Sequence, residues 1–115
     1  MEKSAVAVVS NSGEFVRKIR ERLPEKPLYE LWFFDSPGSV EDREYLIFAI
    51  NMIPPHTNYF HVYGLVRRVQ ERAMVYLVKG SIGTDYIDSK VKGREMEPVT
   101  GILKEDELIR LITTS

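Results

Sequence analysis

The chain has 115 residues, 43% of them apolar and 10% aromatic, which suffices for one domain with a real core and not for two. Lys and Arg number 16 against 17 Asp and Glu, a net charge of -1, which excludes a global field drawing the molecule to nucleic acid or to an anionic membrane. Cysteine is absent and the histidines are His56 and His61 alone, so disulfides and thiolate nucleophiles are excluded and neither a metal site nor a cofactor is expected.

Ala5 to Val9 is a short, largely β-branched run and reads as the first strand, too short for a signal peptide. No apolar run approaches the roughly 20 residues that cross a bilayer. A single domain over residues 1–115, cytoplasmic and without membrane contact, is expected. One Gln and 3 Asn beside 29% charged residues lean towards a thermophilic source.

Asn11 or Ser12 caps a helix in which Val16, Ile19 and Leu23 recur at helical spacing until Pro24. Leu28 to Phe34 reads as a second strand, and the dense run Leu31-Trp32-Phe33-Phe34 suggests burial on both faces. Asp35 to Ser39 is then a turn, with Ser39 and Asp42 spaced as a capping box for a second helix, Val40 to about Met52. That helix is apolar nearly all round in its second half, so it is either heavily buried or meets a partner, a second copy included. Pro54-Pro55 stops it.

Tyr59 to Val66 reads as a strand. Arg67 to Gly80 fits two patterns: a helical stripe of Val69, Ala73, Tyr76, Leu77 and Gly80, or a buried strand over Ala73 to Val78. The helix is taken. Thr84 to Val91 and Arg94 to Ile102 follow as strands, the latter an edge strand because of Pro98. The last helix opens on Glu105, Asp106 and Glu107, which suit its positive end, and packs through Leu108, Ile109, Leu111 and Ile112.

This order of elements resembles thioredoxin. Trp32 falls where that family has a Trp, Glu30 where it has a buried acid, and Ser36-Pro37-Gly38-Ser39 where it has its four-residue redox motif. Ser81-Ile82-Gly83-Thr84 is similar to the loop that carries the family's cis-proline, and Gly93 and Gly101 match the spacing of two family glycines. The resemblance implies an α/β, thioredoxin-like fold with a central mixed sheet of about five strands flanked by helices. Ser36 and Ser39 stand where the family has cysteines, and a serine forms no mixed disulfide, so dithiol–disulfide exchange is excluded.

The expected function is therefore non-enzymatic: a redox-inactive module that binds or scaffolds a protein or peptide. Its groove, by the resemblance, joins Asp35, Ser36, Pro37, Gly38 and Ser39 to Ile82, Gly83, Thr84, Thr100 and Gly101. The bland alternative for the serine turn is a helix cap. A second reading is a single-stranded nucleic-acid binder, with Tyr59, Phe60 and Tyr63 stacking on bases and Arg67, Arg68, Arg72 and Lys79 on phosphates. Against it, Arg68 and Arg72 with Glu71 also describe a solvated helix face. A hydrolase pairing of His56 or His61 with a serine has no support in the spacing.

Overall fold

Alternating β and α elements build one parallel sheet with helices on both faces. The computed structural model describes residues 3–51, 64–65, 67–69, 71–79 and 101–113. The strands are β1 (Ser4–Ser10), β2 (Tyr29–Phe34), β3 (Ile47–Asn51), β4 (Met74–Lys79) and β5 (Gly101–Lys104). Helix α1 is Gly13–Glu21 and helix α2 is Glu105–Thr113. Residues 64–65 and 67–69 are also helical.

The sheet order is β2-β1-β3-β4-β5 and every described pairing is parallel. The chain steps one way from β1 to β2, then crosses back over β1 to β3 and continues outward. Because parallel crossovers are right-handed, that reversal sends α1 and the β3–β4 connection to opposite faces. On one face α1 and α2 cover Val6, Val8, Ile47, Ala49 and Val78, with Phe15, Ile19, Leu108, Ile109 and Ile112 fully buried between them. On the other, Leu65 and Tyr45 lie over Ala5, Ala7, Val9, Phe48, Ile50 and Leu77. Ion pairs Lys18–Glu105 (3.5 Å) and Arg22–Asp106 (3.6 Å) bridge the two helices. They are partly exposed and add little next to the apolar contact.

The sheet corrects the thioredoxin-like reading: no described strand runs antiparallel, so the central mixed sheet is not found. Trp32 is not on a central strand, because β2 is an edge with a described neighbour on its β1 side alone. Glu30, expected as a buried acid, is exposed.

The second helix is absent as well. Ile47–Asn51 is a central strand buried on both faces, which is why its apolar residues surround every helical angle. What precedes it, residues 35–46, contains only a 3-10 turn, Pro37–Ser39. The helix taken over Arg67 to Gly80 fails from Met74 onward, where the strand alternative over Ala73 to Val78 forms instead. Of the strand read over Tyr59 to Val66, Gly64 and Leu65 are helical and 59–63 lie outside the described residues. The strand read over Thr84 to Val91 also lies outside them. Of the one read over Arg94 to Ile102, only its last two residues are described, and they open β5.

Candidate functional site

In an open parallel sheet the strands' carboxyl ends carry orphan main-chain groups, and the point where the chain reverses its direction of winding leaves a crevice between diverging connections. Here that point lies between β1 and β3. Among the described residues, those at the crevice include Ser10, which ends β1, Asn11 and Ser12, which follow it, and Asn51 at the end of β3.

Ser10 and Asn51 face each other across the β1–β3 pair, in register. They are the two buried polar side chains of the described core, 4% and 1% exposed. Burying an amide or a hydroxyl is costly unless its hydrogen bonds are met, and here they are. The Ser10 hydroxyl donates to Asn51 Oδ1 at 3.0 Å, and Asn51 Nδ2 donates to the Val78 carbonyl at 3.4 Å. Ser10 Oγ in turn accepts from the Ser12 main-chain N–H at 3.0 Å. Ser12 then caps α1, accepting from the Phe15 N–H at 3.3 Å. One network thus ties the ends of β1, β3 and β4 to the start of α1.

The network is electrically neutral. Lys79 and Lys104 pair in register at the ends of β4 and β5, and the Lys104 main-chain N–H donates to Glu107 Oε1 at 3.1 Å. Among the described residues no three His, Cys, Asp or Glu side chains gather as metal ligands. An amide nitrogen with a delocalised lone pair is no nucleophile, and the Ser10 hydroxyl hands its proton to an amide oxygen rather than to a base. The arrangement ties the strand ends together.

The described members of the expected groove lie far apart. Asp35 and the 3-10 turn of Pro37, Gly38 and Ser39 follow the carboxyl end of β2, whereas Gly101 begins β5 at the opposite edge. With strands about 4.8 Å apart, four steps separate those edges by roughly 19 Å, and the two groups sit at opposite ends of their strands as well. Ile82, Gly83, Thr84 and Thr100 lie outside the described residues. Ser39 does not cap a helix: its hydroxyl donates to Asp35 Oδ1 at 3.0 Å and meets Ser36 Oγ at 2.7 Å, an exposed local cluster.

Of the nucleic-acid surface, Tyr59, Phe60 and Tyr63 lie outside the described residues, as do His56 and His61. Arg67 and Arg68 are exposed on the helical segment and Arg72 on the turn that follows it, where its N–H donates to the Val69 carbonyl. Lys79 ends β4 inside the sheet, so the four cations do not share one element as the helical reading required.

Sequence reasoning missed Asn51 by placing it inside a helix. The available signal was a polar residue closing the four apolar residues Ile47 to Ile50, just ahead of Met52-Ile53-Pro54-Pro55.

Aromatic residues crowd the β2 side. The Arg43 guanidinium stacks 4.1 Å from the Trp32 ring centre and the Arg20 guanidinium 4.8 Å from that of Phe33, one on each face of the strand. Tyr45 packs edge-on against Phe48 (4.9 Å) and Phe34 (6.2 Å) and donates its hydroxyl to the Glu41 carbonyl at 3.1 Å. Burial pushes the Tyr45 hydroxyl's pKa up, against the nearby Arg43 charge, which lowers it; Glu41 and Asp42 add to the rise. Trp32 Nε1 is buried without a hydrogen-bond partner.

No family model matches the sequence, and no curated protein matches it. Solved structures do resemble the fold. A signal receiver domain of an HD domain-containing protein from Pseudomonas fluorescens Pf-5 superposes with a TM-score of 0.68 at 15% identity, over 96% of this chain and 85% of that one. The Legionella pneumophila response regulator LqsR does so with a TM-score of 0.62, also at 15% identity, over 97% of this chain and 42% of its own. These likenesses overturn the thioredoxin assignment and, with it, the redox-inactive thioredoxin scaffold, and they lend the nucleic-acid alternative no support. The chain has the α/β fold of a signal receiver domain, a five-strand parallel sheet flanked by helices.

Proposed function

We propose that the chain is a receiver-type signalling domain that acts through contact with another protein and carries no phosphoryl group on its crevice. The receiver-like fold supports the signalling half of this reading. The chemistry of the crevice supports the other half. A receiver switched by phosphorylation of a carboxylate needs that carboxylate where the phosphoryl group is to sit, because an acyl phosphate forms on an ionised oxygen. Here the ends of β1 and β3 present Ser10 and Asn51.

The observation that carries the proposal is Asn51, 1% exposed at the end of a central strand and hydrogen-bonded on both sides of it. Its amide offers no acceptor for a phosphoryl group, and the hydrogen bonds to Ser10 and Val78 hold the β1, β3 and β4 ends in one arrangement. The domain then works as a fixed or partner-selected shape rather than as a chemically timed switch, and it is non-catalytic.

Incubating the protein with a small acyl-phosphate donor and Mg²⁺, followed by intact-mass analysis and hydrogen exchange, tests this. No phosphoryl adduct is expected, and exchange over residues 8–14, 47–51 and 74–79 remains as before. A stoichiometric adduct on a crevice residue, or altered exchange at those strand ends, overturns the proposal.

A further inference from the structure

The outer edge of β2 is unusual for a soluble domain. Alternate residues of an edge strand turn main-chain N–H and C=O groups away from their neighbour, and proteins blunt such edges with Lys, Pro, bulges or a covering element. Tyr29–Phe34 has none of these among the described residues: it reads Tyr-Glu-Leu-Trp-Phe-Phe, pairs with β1 without a bulge, and has no described backbone bond on its other side. Five of its six side chains are half-buried, neither sealed nor free. A depression lies against it, lined by Tyr29, Leu31 and Phe33 from one face and Glu30 and Arg43 from the other, with Lys3, Leu23 and Pro27 beside the strand completing the lining.

We infer that this edge pairs with a second copy of the same chain, β2 against β2, antiparallel about a two-fold axis perpendicular to the sheet and centred on Leu31. The inference stands apart from the reading of the crevice. Symmetry and charge fix the register. Residues opposed across an antiparallel pair lie on the same face, so a perpendicular two-fold allows only registers in which some residue opposes its own copy. Centring on Glu30 sets two carboxylates against each other. Centring on Trp32 sets Tyr29 against Asp35 and Glu30 against Phe34, and centring on Phe33 sets Leu31 against Asp35.

Centring on Leu31 leaves no such conflict. Leu31 meets its copy and Tyr29 meets Phe33 twice, all on one face. On the other, Phe34 meets Leu28, itself 53% exposed, and Glu30 meets Trp32, whose ring carries Arg43. Glu30 thereby gains a cation in each half of the dimer, and among the described residues Arg43 has no carboxylate within ion-pair distance in its own chain. Cross-strand aromatic pairs and opposite charges are the contacts that stabilise antiparallel sheets. The product is a continuous ten-strand sheet with no open β2 edge.

The absence of cysteine makes the register directly testable. Opposed Cα atoms in an antiparallel pair lie about 4.5–5.5 Å apart, inside the range a disulfide spans. Leu31→Cys is therefore expected to give a disulfide-linked dimer under mild oxidation. Tyr29→Cys and Phe33→Cys link when mixed and not when oxidised separately.

Sedimentation of the parent chain shows a dimer, and Glu30→Arg, at an exposed position, weakens association about tenfold or more. Adding Arg43→Glu to Glu30→Arg restores it, while circular dichroism confirms that each variant is folded. A parent chain that stays monomeric at high concentration overturns the inference. So does a dimer in which Leu31→Cys fails to cross-link, Tyr29→Cys links with itself, or Glu30→Arg leaves association unchanged.

Discussion

The Ser10–Asn51 pair makes a quantitative prediction about the crevice. Asn51→Leu keeps roughly the volume of the side chain and removes both of its hydrogen bonds. The Ser10 hydroxyl, 4% exposed, then has no acceptor, which costs about 1–3 kcal/mol for a buried orphan, and the longer bond to Val78 adds a smaller loss. Ser10→Ala orphans Asn51 Oδ1 and the Ser12 N–H, for a loss of about 2 kcal/mol. The double variant no longer contains the mismatch that each single one creates, since replacing both partners by apolar groups is far less costly than removing one. Its loss should fall short of the sum by about 1–2 kcal/mol. Urea unfolding followed by the lone Trp32 and by circular dichroism reads this directly. With a slope of about 2 kcal/mol per molar, each single change lowers the midpoint by about 1 M. Losses that add to within ~0.5 kcal/mol would refute the reasoning that the two side chains act as a unit.

Ser12→Ala removes the acceptor for the Phe15 N–H and should cost about 1 kcal/mol in thermal unfolding, with Ser12→Gly costing only a few tenths; equal losses would show that the cap is not the cause. Tyr45 is held neutral by burial, so its folded-state pKa lies above the unfolded value of about 10. Its stabilising contribution is complete below about pH 10 and is lost as pH rises through the raised folded value. Melting temperatures across the alkaline range should fall less steeply for Tyr45→Phe than for the parent chain. Trp32→Phe deletes a buried N–H that has no partner and keeps a ring beneath Arg43, so its cost should stay within about 1 kcal/mol, whereas Trp32→Ala should cost roughly 2 kcal/mol at this half-buried site. Replacing both Ser36 and Ser39 by Ala should change stability by less than about 0.5 kcal/mol, as their bonds are local and exposed.

The elements that were legible in the sequence are those whose signal is local. Ser12 with Phe15 and Ile19 marks α1, and the acidic start and apolar stripe of Glu105–Thr113 mark α2. The β-branched run Ala5–Val9 and the apolar run ending at Phe34 mark β1 and β2. Ile47–Asn51 was not legible because a strand buried on both faces has no period of its own. Leu46, Ile50 and Ile53, four and three apart, supply a false helical one. The error then spread. Once β3 was read as a helix, Trp32 had to sit on the central strand, and the β-α-β start shared with thioredoxin completed the resemblance. What separates the observed sheet from the expected mixed one is which strands pair and in which direction, a non-local fact that no window of sequence carries. Asn51 was lost for the same reason: a polar residue closing a strand marks a crevice, whereas within a helix it marks nothing.

The crossover from β2 to β3 connects the β2 edge to the Asn51 crevice. Residues 35–46 travel from the edge strand over β1 with one 3-10 turn in place of a helix, and they cover the sheet with Tyr45 and Val40 alone. A full helix there would bury Trp32 and Phe34 under side chains of its own. Without one, those rings are half-covered, and Trp32 is topped by Arg43, which among the described residues has no carboxylate within ion-pair distance. At the crevice, by contrast, the described side chains Ser10 and Asn51 are neutral and spend their hydrogen bonds on each other and on the Val78 carbonyl. On the two proposals together, recognition runs through the apolar, cation-rimmed β2 edge and not through the covalent state of Asn51.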